Sequence, residues 1–292
     1  HAFRGRVLFH RKEFKQATDE LLKAIEFFGD DSRLYYKLAL AQHASKKFKD
    51  AIQSMVKFTE LKPDVLSGWL YLGNFYVRLD KKDDAKQAFQ TALDLKPNDR
   101  LALLSLSTIL AYQNKLTETD ISTLRENFYK ASMEDREESL QETDITMIDN
   151  LSYGLASRFL SAKQGDEAIL ALTEGSFILD LARQSSEKVR LSLFAGVSFY
   201  LLVQERYDAL GMLLQDLEKK KWPWESEKMI LSVFEIATRI LKTSDPSLLN
   251  EYHEETRGSV QMIIRSVRER DNLSIRIHVE PKSTKSPSPP AA

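Results

Sequence analysis

Apolar residues in the first third of the chain recur with two periods at once. Within a stretch they fall three or four residues apart, the spacing that lines one face of a helix. Phe14, Ala17, Leu21 and Ala24 follow it, and so do Ala85, Phe89, Ala92 and Leu95. Between stretches the pattern repeats after 34 residues: Lys47, Lys49, Asp50, Ala51, Gln53, Leu61, Lys62 and Pro63 return as Lys81, Asp83, Asp84, Ala85, Gln87, Leu95, Lys96 and Pro97. A repeat of that length holds a helix pair. One pair cannot bury its apolar face alone, so pairs stack and leave a continuous groove in place of a closed pocket.

Small residues explain how the pairs interlock. Gly5, Ala39, Gly73 and Ser107 recur at one spot on the first helices, and Ala17, Ala51 and Ala85 at one spot on the second. Two backbones can then approach closely while aromatic side chains fill the space beside them. The unit Leu66–Asp99 carries Trp69, Leu72, Gly73 and Tyr76 on its first helix and Ala85, Phe89, Ala92, Leu95 and Pro97 on its second. This series resembles the tetratricopeptide repeat. The unit before it, Ser32–Val65, keeps Tyr35, Leu38, Ala39, Phe48, Ala51 and Pro63. The resemblance implies an all-α, right-handed superhelical stack of helix pairs, in which these aromatics are core rather than a ligand box.

The expected organisation is a repeat array over 1–114, with units at about 1–31, 32–65 and 66–99 and a partial fourth from 100. An irregular acidic insertion is expected over 115–148, since Thr119 replaces the expected Ala and the run Met133–Asp144 breaks the period. A divergent helical region follows over 149–271, where Leu155, Ala156, Phe159 and Ala168 return to register, with helices at roughly Glu187–Gln204, Arg206–Lys221 and Ser226–Lys242. Trp222-Pro223-Trp224 marks a stop, and Asp245-Pro246 opens a last helix running to about Arg270, a cap and a first-turn Pro. That helix is expected to cover the end of the stack with Leu248, Leu249, Tyr252, Val260, Ile263, Ile264 and Val267. Over 272–292 an alternating stretch, Leu273 to Val279, reads as an extended arm, and a Ser/Pro tail follows.

Composition narrows the chemistry. The net charge of −1 supplies no field for nucleic acid or an anionic membrane. With no cysteine, disulfides, zinc-thiolate sites and thiol catalysis are excluded. The longest uncharged runs, Leu101–Asn114 and Leu191–Gln204, are 14 residues each and too short to cross a bilayer. The chain opens with His1 in mid-repeat, so a targeting or anchoring segment upstream is compatible with it, and its compartment is not fixed. The five histidines form no close-spaced ligand pair, and no phosphate loop or nucleophile elbow is present. No metal or cofactor is expected, and a catalytic role ranks well below a binding one. Two sequons, at Asn150 and Asn272, read as chance matches.

The resemblance also assigns the groove. In such arrays three positions on each first helix face inward: here Tyr36, Leu40 and His43, then Leu70, Asn74 and Val77, then Leu104, Thr108 and Ala111, with Arg78 and Tyr112 at the edge. Arg6, Leu40, Asn74 and Thr108 share one row. Family members that clamp a chaperone's C-terminal carboxylate place Lys, Asn and Arg there. Leu40, Leu70 and Leu104 stand where charges would be wanted, which speaks against that clamp. An apolar groove with one amide suits an extended peptide or an amphipathic helix. The competing expectation is that the protein's own later helices fill the groove. The function expected is a scaffold or adaptor. The alternative is an anchored structural subunit or assembly factor of a larger complex, with a membrane as one place for that anchor.

Overall fold

A computed structural model describes residues 1–113, 116–133, 142–162, 167–173, 176–219 and 225–269. The Trp222-Pro223-Trp224 turn, most of the acidic run, the alternating stretch from Leu273 and the tail lie outside them. Every regular element among the described residues is helical. Three pairs come first: α1 (Ala2–His10) with α2 (Phe14–Phe28), α3 (Ser32–Ala44) with α4 (Phe48–Leu61), and α5 (Leu66–Arg78) with α6 (Lys82–Leu95). Then follow α7 (Arg100–Ala111), α8 (Glu118–Met133), α9 (Glu142–Ser161), a 3-10 helix (Glu167–Thr173) and α10 (Phe177–Gln184). The chain continues through α11 (Glu187–Val203), α12 (Tyr207–Lys219), α13 (Glu225–Thr243), a second 3-10 helix (Pro246–Glu251) and α14 (Glu254–Glu269).

The turn inside each early pair is the same piece of chemistry. Lys12, Lys46 and Asp80 occupy the left-handed region, with φ of 61°, 62° and 55°. The next amide then reaches back: Glu13 N to Leu8 O at 2.9 Å, Lys47 N to Gln42 O at 2.8 Å and Lys81 N to Tyr76 O at 3.0 Å. These bonds satisfy carbonyls that a helix end leaves open. Glu205, at φ 58°, sits at the same kind of turn between α11 and α12, with Arg206 N bonded to Leu201 O at 2.8 Å. The divergent half therefore keeps the hinge of the repeat after losing its sequence.

Interlocking follows the small residues. A Cβ on Gly5 would meet Leu21 at 2.9 Å, and one on Gly73 would meet the Phe89 ring at 2.7 Å. The close partner of Gly73 is thus Phe89. Each early first helix also packs on the preceding second helix, α3 on α2, α5 on α4 and α7 on α6.

At α9 this arrangement changes. α9 packs on α7 rather than on α8, α11 packs still more extensively on α9, and α13 packs on α11. Gly196 of α11 crosses α9 so closely that a Cβ there would lie 2.8 Å from the Ala156 carbonyl oxygen. Buried Ser152 and Ser185 share a hydrogen bond at 2.7 Å beside that crossing. One apolar core runs from Leu103 to Ile264, whereas α1–α6 close over three smaller clusters.

Two expectations differ from the structure. Much of 115–148 is helix rather than irregular insertion. Thr117 and Asp120 exchange hydrogen bonds at the start of α8, Thr117 N to Asp120 Oδ2 at 2.9 Å and Asp120 N to Thr117 Oγ1 at 3.1 Å. This reciprocal cap starts the helix. Ile121, Leu124, Phe128 and Ala131 then bury one face of it. The last helix is also two pieces. Asp245 does cap the chain at Pro246, accepting from Ser247 N at 2.9 Å. The chain then runs extended at Tyr252, and α14 begins afresh at Glu254. Arg257 Nε donates to Tyr252 O at 2.6 Å across that break. The seven side chains expected to face inward all pack in or against the large core.

Candidate functional site

The groove positions fall into an open group and a closed one. Tyr36 is half-buried, its ring centre 5.1 Å from that of Phe58 and 5.8 Å from that of Tyr71 in an edge-on arrangement. Burial, and then Tyr71, push its phenol up to about 12, so the hydroxyl stays a hydrogen-bond donor. His43 stacks on Phe75 with centres 4.5 Å apart and planes 14° from parallel. Burial, and then Arg78, hold its imidazole below the usual range, which favours the neutral ring. Rings of α3 and α5 thus form a continuous aromatic seam.

Around the seam, Leu40 and Leu70 are half-buried, while Asn74 and Arg78 are exposed. Val77 is 46% exposed. The Asn74 amide offers a ligand backbone both a donor and an acceptor. Tyr71, 37% exposed, is part of this surface and was not among the expected positions. It follows Leu70 by one residue, and the edge-on contact with Tyr36 brings it into the seam.

Toward the N-terminus, α1, α3, α4 and α5 enclose a cleft of about 620 Å³ that includes Arg6, Lys37, Tyr36, Phe58 and Ser67.

The fourth first helix behaves otherwise. Leu104 is 1% exposed and belongs to the large core, so it lines no groove. Ala111 is buried as well. The physical reason is α9, which lies directly against α7. Thr108 is half-buried and its hydroxyl donates to Leu104 O at 2.8 Å, which satisfies it within its own helix. Tyr112 is 43% exposed and marks the boundary: a Cβ on Gly154 of α9 would meet its ring at 2.7 Å. Arg100 anchors the other end of α9, donating to Asp144 Oδ2 at 2.9 Å and to Ala131 O at 3.1 Å. The expectation that later helices fill the groove therefore holds at α7, whereas α3 and α5 keep exposed and half-buried residues.

No group of three or more His, Asp or Glu side chains able to hold a metal ion occurs among the described residues. No helix among them is long and apolar enough to cross a membrane.

Comparison with known proteins points to the same residues. The sequence profile of the tetratricopeptide repeat matches at 32–65 and again at 67–99. The heat shock protein sti1 homolog of Schizosaccharomyces pombe is 30% identical over 112 residues, 38% of this chain and 19% of that protein. Anaphase-promoting complex subunit 3 of Dictyostelium discoideum is 29% identical over 103 residues, 35% of this chain and 11% of that protein. The chain thus spans less than a fifth of the length of either relative. Profile matches, paired helices and the recurring left-handed turn agree, and residues 32–99 form two tetratricopeptide repeats within an all-α stack of helix pairs.

Proposed function

We propose that this protein is a non-catalytic interaction module that holds a segment of a partner protein against α1, α3 and α5. The observation that carries this reading is the aromatic seam of Tyr36, Tyr71 and His43, seated on buried Phe75 and flanked by Leu40, Leu70, Val77 and Asn74. Such a surface suits an extended peptide or one face of an amphipathic helix. Apolar contacts would supply affinity, and Asn74 would hold the ligand backbone in register. The groove ends where Tyr112 meets α9, so Leu104 has no part in it.

A second reading is a structural subunit or assembly factor of a larger complex. It is favoured by the subunit status in the second relative's name and by a C-terminal half with a core of its own. The two readings separate in one experiment. Affinity capture is run with the whole chain, with Leu70→Asp and with Asn74→Ala, and the recovered proteins are compared. A groove partner should disappear with Leu70→Asp and bind about 1–2 kcal/mol more weakly to Asn74→Ala, the cost of an unpaired backbone group. Partners retained by both variants would place the interface elsewhere and favour the second reading.

A further inference from the structure

We infer that the cleft between α1, α3 and α5 receives a side-chain carboxylate of the partner, an Asp or Glu next to an apolar anchor. This deepens the groove reading above and rests on it. The cleft holds three cations, Arg6, Arg33 and Lys37, and one carboxylate, Asp31. Asp31 is already engaged: Arg33 donates from Nε to its Oδ1 at 3.2 Å and from Nη2 to its Oδ2 at 2.8 Å. Arg33 and Asp31 therefore cancel. Arg6 and Lys37 do not, since none of the salt bridges among the described residues involves either.

What holds these two cations is aromatic. Lys37 Nζ lies 5.3 Å from the centre of the Phe9 ring and 6.0 Å from that of Tyr36. The Arg6 guanidinium carbon lies 6.0 Å from the centre of the Phe3 ring. A ring face attracts a cation without neutralising it, so the positive charge still faces the cleft. The wall beside it is apolar, with Phe58 and the Tyr36 ring. A carboxylate in charge-assisted contact with Arg6 and Lys37 would place the following side chain against that wall. A basic segment would be repelled at the same point, which makes the pair of cations a filter as well as an anchor.

The probe is a library of random linear peptides displayed with their C-terminal ends joined to the carrier, panned on the whole chain. Enriched sequences should carry Asp or Glu beside an aromatic or large aliphatic residue. A representative peptide should bind Arg6→Glu/Lys37→Glu at least about tenfold more weakly than the parent, and bind the parent less tightly as salt rises. Its Asn or Gln version should lose the same factor on the parent and nothing further on Arg6→Gln/Lys37→Gln, a milder pair that guards against misfolding. If enriched peptides are lost on Leu70→Asp but show no acidic preference and bind the charge variants unchanged, the groove stands and this inference falls. Binders indifferent to Leu70→Asp and to the charge variants, or no binders at all, would overturn both. A library with free C-termini that alone yields binders would put the carboxylate at a chain end and overturn the side-chain assignment.

Discussion

The two halves of this molecule are made of similar amphipathic helices and use them in opposite ways. In α1–α6 each first helix rests on the second helix before it, and neighbouring first helices meet mainly through side chains such as Tyr36 with Tyr71 and His43 with Phe75. That spacing leaves a trough. From α7 onward the helices α7, α9, α11 and α13 pack directly on one another. Ser152, Ala156 and Gly196 at the α9–α11 crossing let the backbones close up, and no trough remains there. Both halves have small residues at crossings; which helices those residues bring together, first with second in α1–α6 and α9 with α11 beyond, separates an open trough from a closed core.

This contrast can be broken experimentally. The largest effect is expected from truncation after Ser244, which removes Val260, Ile263 and Ile264 from the large core and uncovers α11 and α13. The product should aggregate, as a solenoid does without its cap. A soluble, monomeric and fully helical product in size-exclusion and circular-dichroism measurements would show that α14 is an interface instead.

Next comes the pair Gly196→Ala and Gly73→Ala. At Gly196 the new methyl would meet backbone, the Ala156 carbonyl; at Gly73 it would meet the Phe89 ring. Overpacking costs about 1–3 kcal/mol, and roughly 1 kcal/mol returns from the better helix propensity of Ala. Because backbone yields less than a ring, Gly196→Ala should lose about 2 kcal/mol net and Gly73→Ala about 1 kcal/mol or less. Equal losses in denaturant titrations would mean that the two crossings are equally tight.

Smaller effects test what the halves share. Lys46→Gly and Glu205→Gly should each gain about 0.5–1 kcal/mol, because glycine adopts the left-handed turn without strain. A gain at Lys46 alone would deny that the α11–α12 turn is the same device. The last effect is a pH slope. His43 is held below its ordinary value, so the folded state favours the neutral ring, and its contribution is complete above about pH 6.5 and lost as pH falls through the lowered value. His43→Phe should keep the stacking on Phe75 and flatten the fall in melting temperature between about pH 7 and about pH 5. An unchanged slope would place the titrating group elsewhere.

Where the 34-residue period holds, the sequence was readable because each position has one packing job, as with Gly73 against Phe89 and Ala85 in the buried core. The failures share a cause. α8 was hidden by Thr119 standing where the repeat wants Ala, although Ile121, Leu124, Phe128 and Ala131 keep helical spacing. Leu104 looked like its counterpart Leu70, and only the docking of α9 distinguishes them. That docking depends on small residues more than forty positions downstream, a contact that local periodicity does not encode. Lys37 and Tyr71 fall outside the expected positions because the family pattern assigns ligand contact to the residue before each.

The separate small clusters beneath α1–α6 bear on how the protein comes apart. Each of those pairs contacts only its neighbours, so its stability is a local sum, and heat or denaturant should open α1–α6 before the large core. The continuous core from Leu103 to Ile264 should instead unfold cooperatively, as one body. Hydrogen exchange would then be faster in α1–α6 than in α9 and α11. The trough lies in the less stable half, and a segment bound along α1, α3 and α5 as proposed would couple three units that are otherwise independent.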